Sequence, residues 1–584
     1  MASEEERAID WLRECADLAG VDPLCLEALA AGAVHFSLPA GFLLFEAGSD
    51  PEGVYLLASG RLGVKTASRP GLTAEIEHGE LVGEAGWLLG TPRSASIVAL
   101  RDCELLLIPN AELDRIAVRS SHFSLALARL CARRLRSSNN RAFQPKRARV
   151  FAVVPNSIEL DVADLATRLV DELTKSGRTE LVWDARATAH TSGWFNRIEE
   201  ANDFVVYVAN WSASGWTQLC CRQADVILMA APAAGTRHPW PSDVAQSALA
   251  RGARVELALV HTGRIESGTA AAWLKTLPAT LHHHLLEPAD IARLARLLMR
   301  RGVGLVLSGG GARGFAHLGI VRALREASIP IDFVGGASLG AIIAAGVAMG
   351  WSDEEMQVRY RRSFVDTNPV NDYTMPFLAL TRGKKVTRLL EREYGDMLIE
   401  DLRIPYFCVS ANLTTGRLYE HLEGRVSQAL RAAVAIPGVM PPVFTDEGVL
   451  VDGAAINNLP VDVMQGHAPG FVIGCDVGAD RHFGKRRVNI FQVLMRAGMV
   501  NSAAGERIQR ELADVLLKPP LAHIDLLNWQ AFDGAIEAGY QYARTALEEL
   551  PAIPRIVAET AKPAKVNSAA LELERRIAAT IAAG

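Results

Sequence analysis

The spacing of apolar residues changes character several times along the chain. Residues 1–30 carry a helical repeat. From His35 to Pro109 the apolar runs are short and broken by glycine turns, at 42–45, 54–57, 62–65, 81–82, 95–100 and 104–108. Runs of that length at that spacing predict a small all-β barrel or roll. A helical repeat over 110–138 follows and ends in Arg133, Arg134 and Arg136. Residues 139–150 are polar and basic, with Pro145 as a break, and read as a linker.

Beyond the linker, strand-like runs at 150–154, 180–183, 204–208 and 226–230 alternate with helical patterns such as 161–175. That alternation predicts a parallel α/β unit. The unit has no G-x-x-x-x-G-K-[ST] loop, which speaks against a nucleotidase. His282, His283 and His284 lack acidic or cysteine partners at ligand spacing and read as an exposed turn, not a metal site. A second α/β region begins at Gly302. The predicted fold class is multidomain: an all-β roll with flanking helices over 1–140, a linker and middle α/β domain over 141–300, an α/β catalytic domain over 301–550, and a tail over 551–584. The tail contains Pro551, Pro554 and Pro563 and then a helical repeat without aromatic residues, read as a solvated helix.

Composition narrows this picture only slightly. The chain has 584 residues, too many for one ordinary domain, and a net charge of −5 gives no argument for nucleic acid as a partner. The acidic start MASEEERAID lacks the regions of a signal peptide. The eight cysteines form no C-x-x-C pair and read as small buried hydrophobes of a reducing cytosol. Residues 333–351 are uncharged and approach the length of a membrane span, but they contain a G-x-S-x-G turn and read as a buried strand–turn–helix. A cytoplasmic protein without a transmembrane helix is expected, with peripheral membrane contact as an option.

The densest chemistry lies at 303–350. Two strand-like runs each end in a glycine turn that opens a helix: Gly309-Gly310-Gly311-Ala312-Arg313-Gly314, then Gly336-Ala337-Ser338-Leu339-Gly340. A serine on a sharp strand-to-helix turn needs glycines beside it, and the turn exposes its hydroxyl near the positive end of a helix. Ser338 is therefore the candidate nucleophile, and the Gly309, Gly310 and Gly311 amides are candidate oxyanion donors. Gly309-x-Gly311-x-x-Gly314 also fits a dinucleotide fingerprint, but that reading explains neither Ser338 nor Asp452. Downstream of Ser338, His421, His467, His482 and His523 sit in no turn motif, and His317 reads as a packed or capping residue. Asp452, at a strand end before Gly453 and Ala454, is the better base, since a partly desolvated carboxylate within reach can take a serine proton.

G-G-G-x-R-G, G-x-S-x-G and D-G-A occur in the order of the patatin-like phospholipase family, which the region resembles. The resemblance implies a Ser338–Asp452 dyad, an oxyanion hole of Gly309–Gly311 steadied by Arg313 and Gly314, and an acyl-enzyme. In the roll, Gly83-Glu84 and, nine residues after Glu84, Arg93-Ser94 resemble the phosphate cassette of the cyclic nucleotide-binding domain family. That implies ribose contacts from Gly83 and Glu84 and cyclic-phosphate contacts from Arg93 and Ser94, with cAMP or cGMP as a candidate effector. If the ligand has been lost, Glu84 and Arg93 would remain as a surface pair worth little. With Trp216-Thr217 and Arg222-Gln223-Ala224-Asp225 between, the whole resembles the neuropathy target esterase group, which implies a lysophospholipid or phospholipid substrate and no required cofactor. A single nucleotide-binding domain and no N-terminal membrane anchor are expected, a departure from the animal members of the group. An alternative makes it chiefly a cyclic-nucleotide sensor with a secondary hydrolase domain. A DNA-binding regulator is disfavoured, because no helix-turn-helix follows the roll.

Overall fold

A computed structural model describes residues 4–66, 72–138, 148–184, 192–211, 214–238, 248, 253–277, 279–375, 379–478 and 500–549. The linker at 139–147 and the tail lie outside these residues. The chain forms two compact units, one of residues 1–170, 177–230 and 237–256, the other of 171–176, 231–236 and 257–584.

The first unit opens with the roll, two four-stranded antiparallel sheets. Strand Gly53–Ser59 shows why the layers hold together. Val54 and Leu56 point into a core shared with the flanking helices, while Tyr55 and Leu57 point into the core between the sheets. Both faces of that strand are buried, so period-2 alternation feeds two apolar layers. Strands Val34–Leu38 and Ala74–Glu77 join those expected from the sequence. The expected single helix is two, Asn110–Arg119 and Ser121–Ser138, separated at Ser120, whose Oγ accepts from the Phe123 amide. After the roll come parallel strands in the order Thr179–Val182, Phe204–Val208, Val150–Pro155, Val226–Pro232.

An ion cluster binds the roll to these strands within the same unit. Oδ1 of Asp225 accepts from Arg61 Nη1 at 2.9 Å and Arg101 Nη2 at 2.7 Å. Oδ2 accepts from the amides of Arg149 at 2.8 Å and Val150 at 3.1 Å. Arg101 also pairs with Glu199, and Arg222 donates to both oxygens of Asp102. Burial would raise the Asp225 carboxyl, but Arg101 and Arg61 override it and hold the group well below the usual carboxylate range.

The second unit holds an eight-stranded mixed sheet. Its main path runs Val443–Thr445, Gly448–Asp452, Tyr406–Asn412, Phe333–Gly336, Gly302–Leu307, Gly470–Cys475, Val515–Leu517, with Arg417–His421 beside Tyr406–Asn412. The expected exposed turn at His282–His284 is corrected. The three lie in strand Leu281–Leu285, His283 and His284 are 1% exposed, and His282 and His284 donate to the Glu400 carbonyl at 2.6 and 2.8 Å. Burial pushes His282 down to about 4 and His284 to about 3, so neutral rings sit in the core. Among the described residues no helix is long and apolar enough to cross a membrane.

Because the Asp225 stabilisation comes from a depressed pKa, it is present above the unfolded carboxyl value of about 3.9 and lost as pH falls through the lower folded value. Asp225→Asn removes the carboxylate that Arg61 and Arg101 share and is expected to cost about 3–5 kcal/mol at neutral pH, and clearly less near pH 3, in denaturant unfolding followed by Trp fluorescence.

Candidate active site

The central strand Gly302–Leu307 runs parallel to Phe333–Gly336 on one side and Gly470–Cys475 on the other, so the loops that follow all three emerge at one sheet edge. Ser338 stands two residues beyond Gly336, before helix Leu339–Ala348, with φ 52° and ψ −129°. A side chain in that backbone region costs about 1–3 kcal/mol and persists only where the surroundings impose it. They do here. A Cβ on Gly340 would lie 2.3 Å from the Leu307 carbonyl oxygen, and one on Gly336 would lie 2.5 Å from the same atom. The turn is pressed against the neighbouring strand and leaves no room for a side chain at position 336 or 340.

Register brings Asp452 level with the serine. Gly336 is opposite Cys408 in the parallel pair, and Ser410, two residues on, is opposite Asp452 in the antiparallel pair. Ser338 Oγ donates to Asp452 Oδ2 at 2.7 Å, and the Ala454 amide donates to Oδ1 at 2.9 Å. Asp452 is 1% exposed and has no ion-pair partner among the described residues. Burial pushes its carboxyl up to about 6, against the opposing pull of the Ser338 and Ala454 hydrogen bonds. A carboxylate of that basicity, bonded to a hydroxyl, is equipped to accept its proton.

The glycine loop is clamped from several sides. The Ala312 amide donates to Leu526 O at 2.8 Å and buried Arg313 Nε to Ile524 O at 2.7 Å. Gly314 abuts the Leu339 side chain. His317 is fully buried, pushed down to about 4 by desolvation, and donates from Nε2 to Ser308 O at 2.9 Å, which makes it a packed residue. The assignment of Gly309 as an oxyanion donor is corrected, because its amide donates to the Asn458 carbonyl at 3.2 Å. The amides of Gly310, Gly311 and Leu339, the first residue of the helix, have no partner among the described residues. Leu339, Asn458 and the 524–526 segment escaped the sequence reading. For Leu339 the signal was available, since the residue after an elbow nucleophile offers such an amide. No described histidine bonds to Ser338 or Asp452: His421 meets Ser410, His467 meets Glu420, and His523 is exposed. His482 lies outside the described residues.

In the roll, Glu84 and Arg93 are each 4% exposed and bonded elsewhere, not to each other, which corrects the surface-pair reading. Glu84 Oε1 accepts from Arg134 at 2.7 Å. Arg93 donates to Gly83 O at 2.7 Å and Gly53 O at 2.8 Å and lies over the Phe45 ring. Ser94 is exposed. Among the described residues no group of three or more His, Cys, Asp or Glu side chains is placed to hold a metal.

Residues 305–464 match the patatin-like phospholipase family, 147–300 the neuropathy target esterase family P-loop like domain, and 35–120 the cyclic nucleotide-binding domain. The chain is similar to an uncharacterised NTE family protein of Mycobacterium tuberculosis, 33% identical over 93% of this chain and 97% of that one. It is also similar to lysophospholipase NTE1 of Yarrowia lipolytica, 26% identical over 88% of this chain and 46% of that protein. A solved cyclic nucleotide-binding domain from Methylobacillus flagellatus is 20% identical over 23% of this chain and 80% of that one, with a TM-score of 0.21.

Gly340→Ala forces a Cβ into the Leu307 carbonyl and is expected to destabilise the protein by about 1–3 kcal/mol or more, read as a lower melting temperature. An unchanged melting temperature would show that the elbow is looser than its contacts imply.

Proposed function

Because the chain belongs to the neuropathy target esterase family, we propose that this hydrolase cleaves the acyl ester of lysophospholipids with Ser338 as nucleophile and Asp452 as base. The observation that carries this reading is the 2.7 Å hydrogen bond from Ser338 Oγ to a buried carboxylate without a cationic partner among the described residues. A carboxylate neutralised by arginine would be a poor base; this one is raised to about 6 and still ionised at neutral pH.

Ser338 Oγ attacks the ester carbonyl carbon while its proton passes to Asp452. Negative charge collects on the carbonyl oxygen, against the open amides of Gly310, Gly311 and Leu339 and the positive end of the helix. The intermediate collapses, the bond to the glycerol oxygen breaks, and the leaving alcohol takes the proton from Asp452. Water then attacks the acyl-serine, giving a proton to Asp452, and the fatty acid departs as Ser338 recovers that proton.

We propose further that the roll takes a cyclic nucleotide as effector at Glu84 and Arg93. The match of residues 35–120 supports this, as does the state of Arg93. Its guanidinium meets backbone carbonyls and an aromatic face, and its Nε has no hydrogen-bond partner among the described residues. An anion could displace the carbonyls at little cost, since hydrogen bonds between ionised partners are the stronger ones.

Fatty-acid release from lysophosphatidylcholine is expected to vanish in Ser338→Ala and to fall by roughly 100- to 10,000-fold in Asp452→Asn. Equal turnover in all three proteins would overturn the assignment. Since only ionised Asp452 accepts the proton, kcat/KM of the native protein should drop about tenfold per pH unit below about 6. Calorimetry with cAMP and cGMP should show saturable binding that Arg93→Ala abolishes. No binding of either nucleotide removes the effector role and leaves the hydrolase reading standing.

A further inference from the structure

We propose that Asn458 is a positioning residue that presets the oxyanion loop, with Gly309 as its anchor point; this rests on reading Ser338 and Asp452 as the dyad. Asn458 engages both polar groups of Gly309. Its backbone carbonyl accepts the Gly309 amide at 3.2 Å, and its side-chain Nδ2 donates to the Gly309 carbonyl at 3.3 Å. The third contact is steric. A Cβ on Gly309 would lie 2.6 Å from Asn458 Oδ1 and 2.8 Å from Ser338 Cβ. Gly309 is thus wedged between the Asn458 amide and the nucleophile, with its N–H and C=O both held.

Holding the peptide groups on either side of Gly309 fixes the direction in which the chain enters Gly310 and Gly311, whose amides stay open. Donors that are oriented before reaction need no reorganisation as charge develops, and small displacements are costly to rate. Asn458 is itself tied to the base. It follows Asp452 through the short turn Gly453–Ala455, in which the Ile456 and Asn457 amides both donate to the Gly453 carbonyl. Asn457 continues the bracing, donating to Asp462 Oδ1 at 2.8 Å and accepting from the Leu459 amide at 3.3 Å. One short segment therefore carries the base at its start and the loop anchor at its end, so base and oxyanion donors keep a fixed separation around Ser338.

The side chain is specific in its requirement. Aspartate would keep Oδ1 but face the Gly309 carbonyl with an acceptor in place of a donor. Alanine would keep only the backbone bond. Full-length Asn458→Ala and Asn458→Asp are compared with the native protein for hydrolysis of a p-nitrophenyl ester, for inhibition by an aliphatic trifluoromethyl ketone and for melting temperature. The ketone adduct places an oxyanion where the transition state has one, so its affinity reports on the donors and not on general folding. Both variants are expected to lose roughly 10- to 100-fold in kcat with KM within about twofold, and ketone affinity should fall by a matching factor. If Asn458→Ala does not accumulate folded, Asn458→Ser is read in its place by the same criteria. Unchanged kcat and ketone affinity in the variants, with Ser338→Ala inactive, would overturn the positioning role and leave the dyad intact. So would a lower melting temperature alone. No Ser338-dependent hydrolysis by the native protein would overturn the dyad reading and this inference with it.

Discussion

A hydroxyl bonded to an unpaired, buried carboxylate is the contact from which the rest of the catalytic unit takes its shape. It can form only if two strands deliver their ends to one level, and the registers Gly336 with Cys408 and Ser410 with Asp452 do that. It also needs a serine held at positive φ, which the contact of Gly340 with the Leu307 carbonyl enforces. Burying a carboxylate without a cation is costly, and the cost shows as its raised pKa. The same burial that destabilises the ion makes it basic enough to take a proton at neutral pH. With Asp452 as the proposed base, stability and function pull in opposite directions there, as they commonly do where a group must react.

The pairing of Ser338 with Asp452 could be read from sequence because each residue is announced by its neighbours. Glycines flank Ser338 and follow Asp452, and glycine in that pattern has a mechanical reason. Asn458 carries no such mark. Its partner Gly309 lies far upstream, and an asparagine after a turn has many ordinary uses. The clamp of Ala312 and Arg313 on the 524–526 carbonyls was unreadable for the same reason: backbone acceptors leave no trace in residue type. His282–His284 failed differently. Three polar rings in a row suggest solvent, yet a single backbone carbonyl, that of Glu400, satisfies two of them and makes their burial affordable. In the roll the alternating runs were plain, and strand Ala74–Glu77 was missed because only Ile76 of its four residues is fully buried.

The segment Arg222–Asp225 acquires a physical role that residue identity alone did not suggest. Asp225 gathers two arginines of the roll and the amides that begin strand Val150–Pro155, so the roll and the parallel strands are joined within one compact unit. Replacing either side by apolar groups would require replacing the whole cluster, since any one member left alone is an uncompensated buried charge. Any signal received at Arg93 would therefore arise in a body larger than the roll, one that includes the middle strands.

The central claim, that Ser338 is a nucleophile made reactive by Asp452, is tested most directly by labelling with a fluorophosphonate probe and mapping the adduct by mass spectrometry. The account predicts a single adduct on Ser338, absent in Ser338→Ala and formed far more slowly in Asp452→Asn. Labelling that is absent from the native protein, or that persists unchanged in Ser338→Ala, would contradict it.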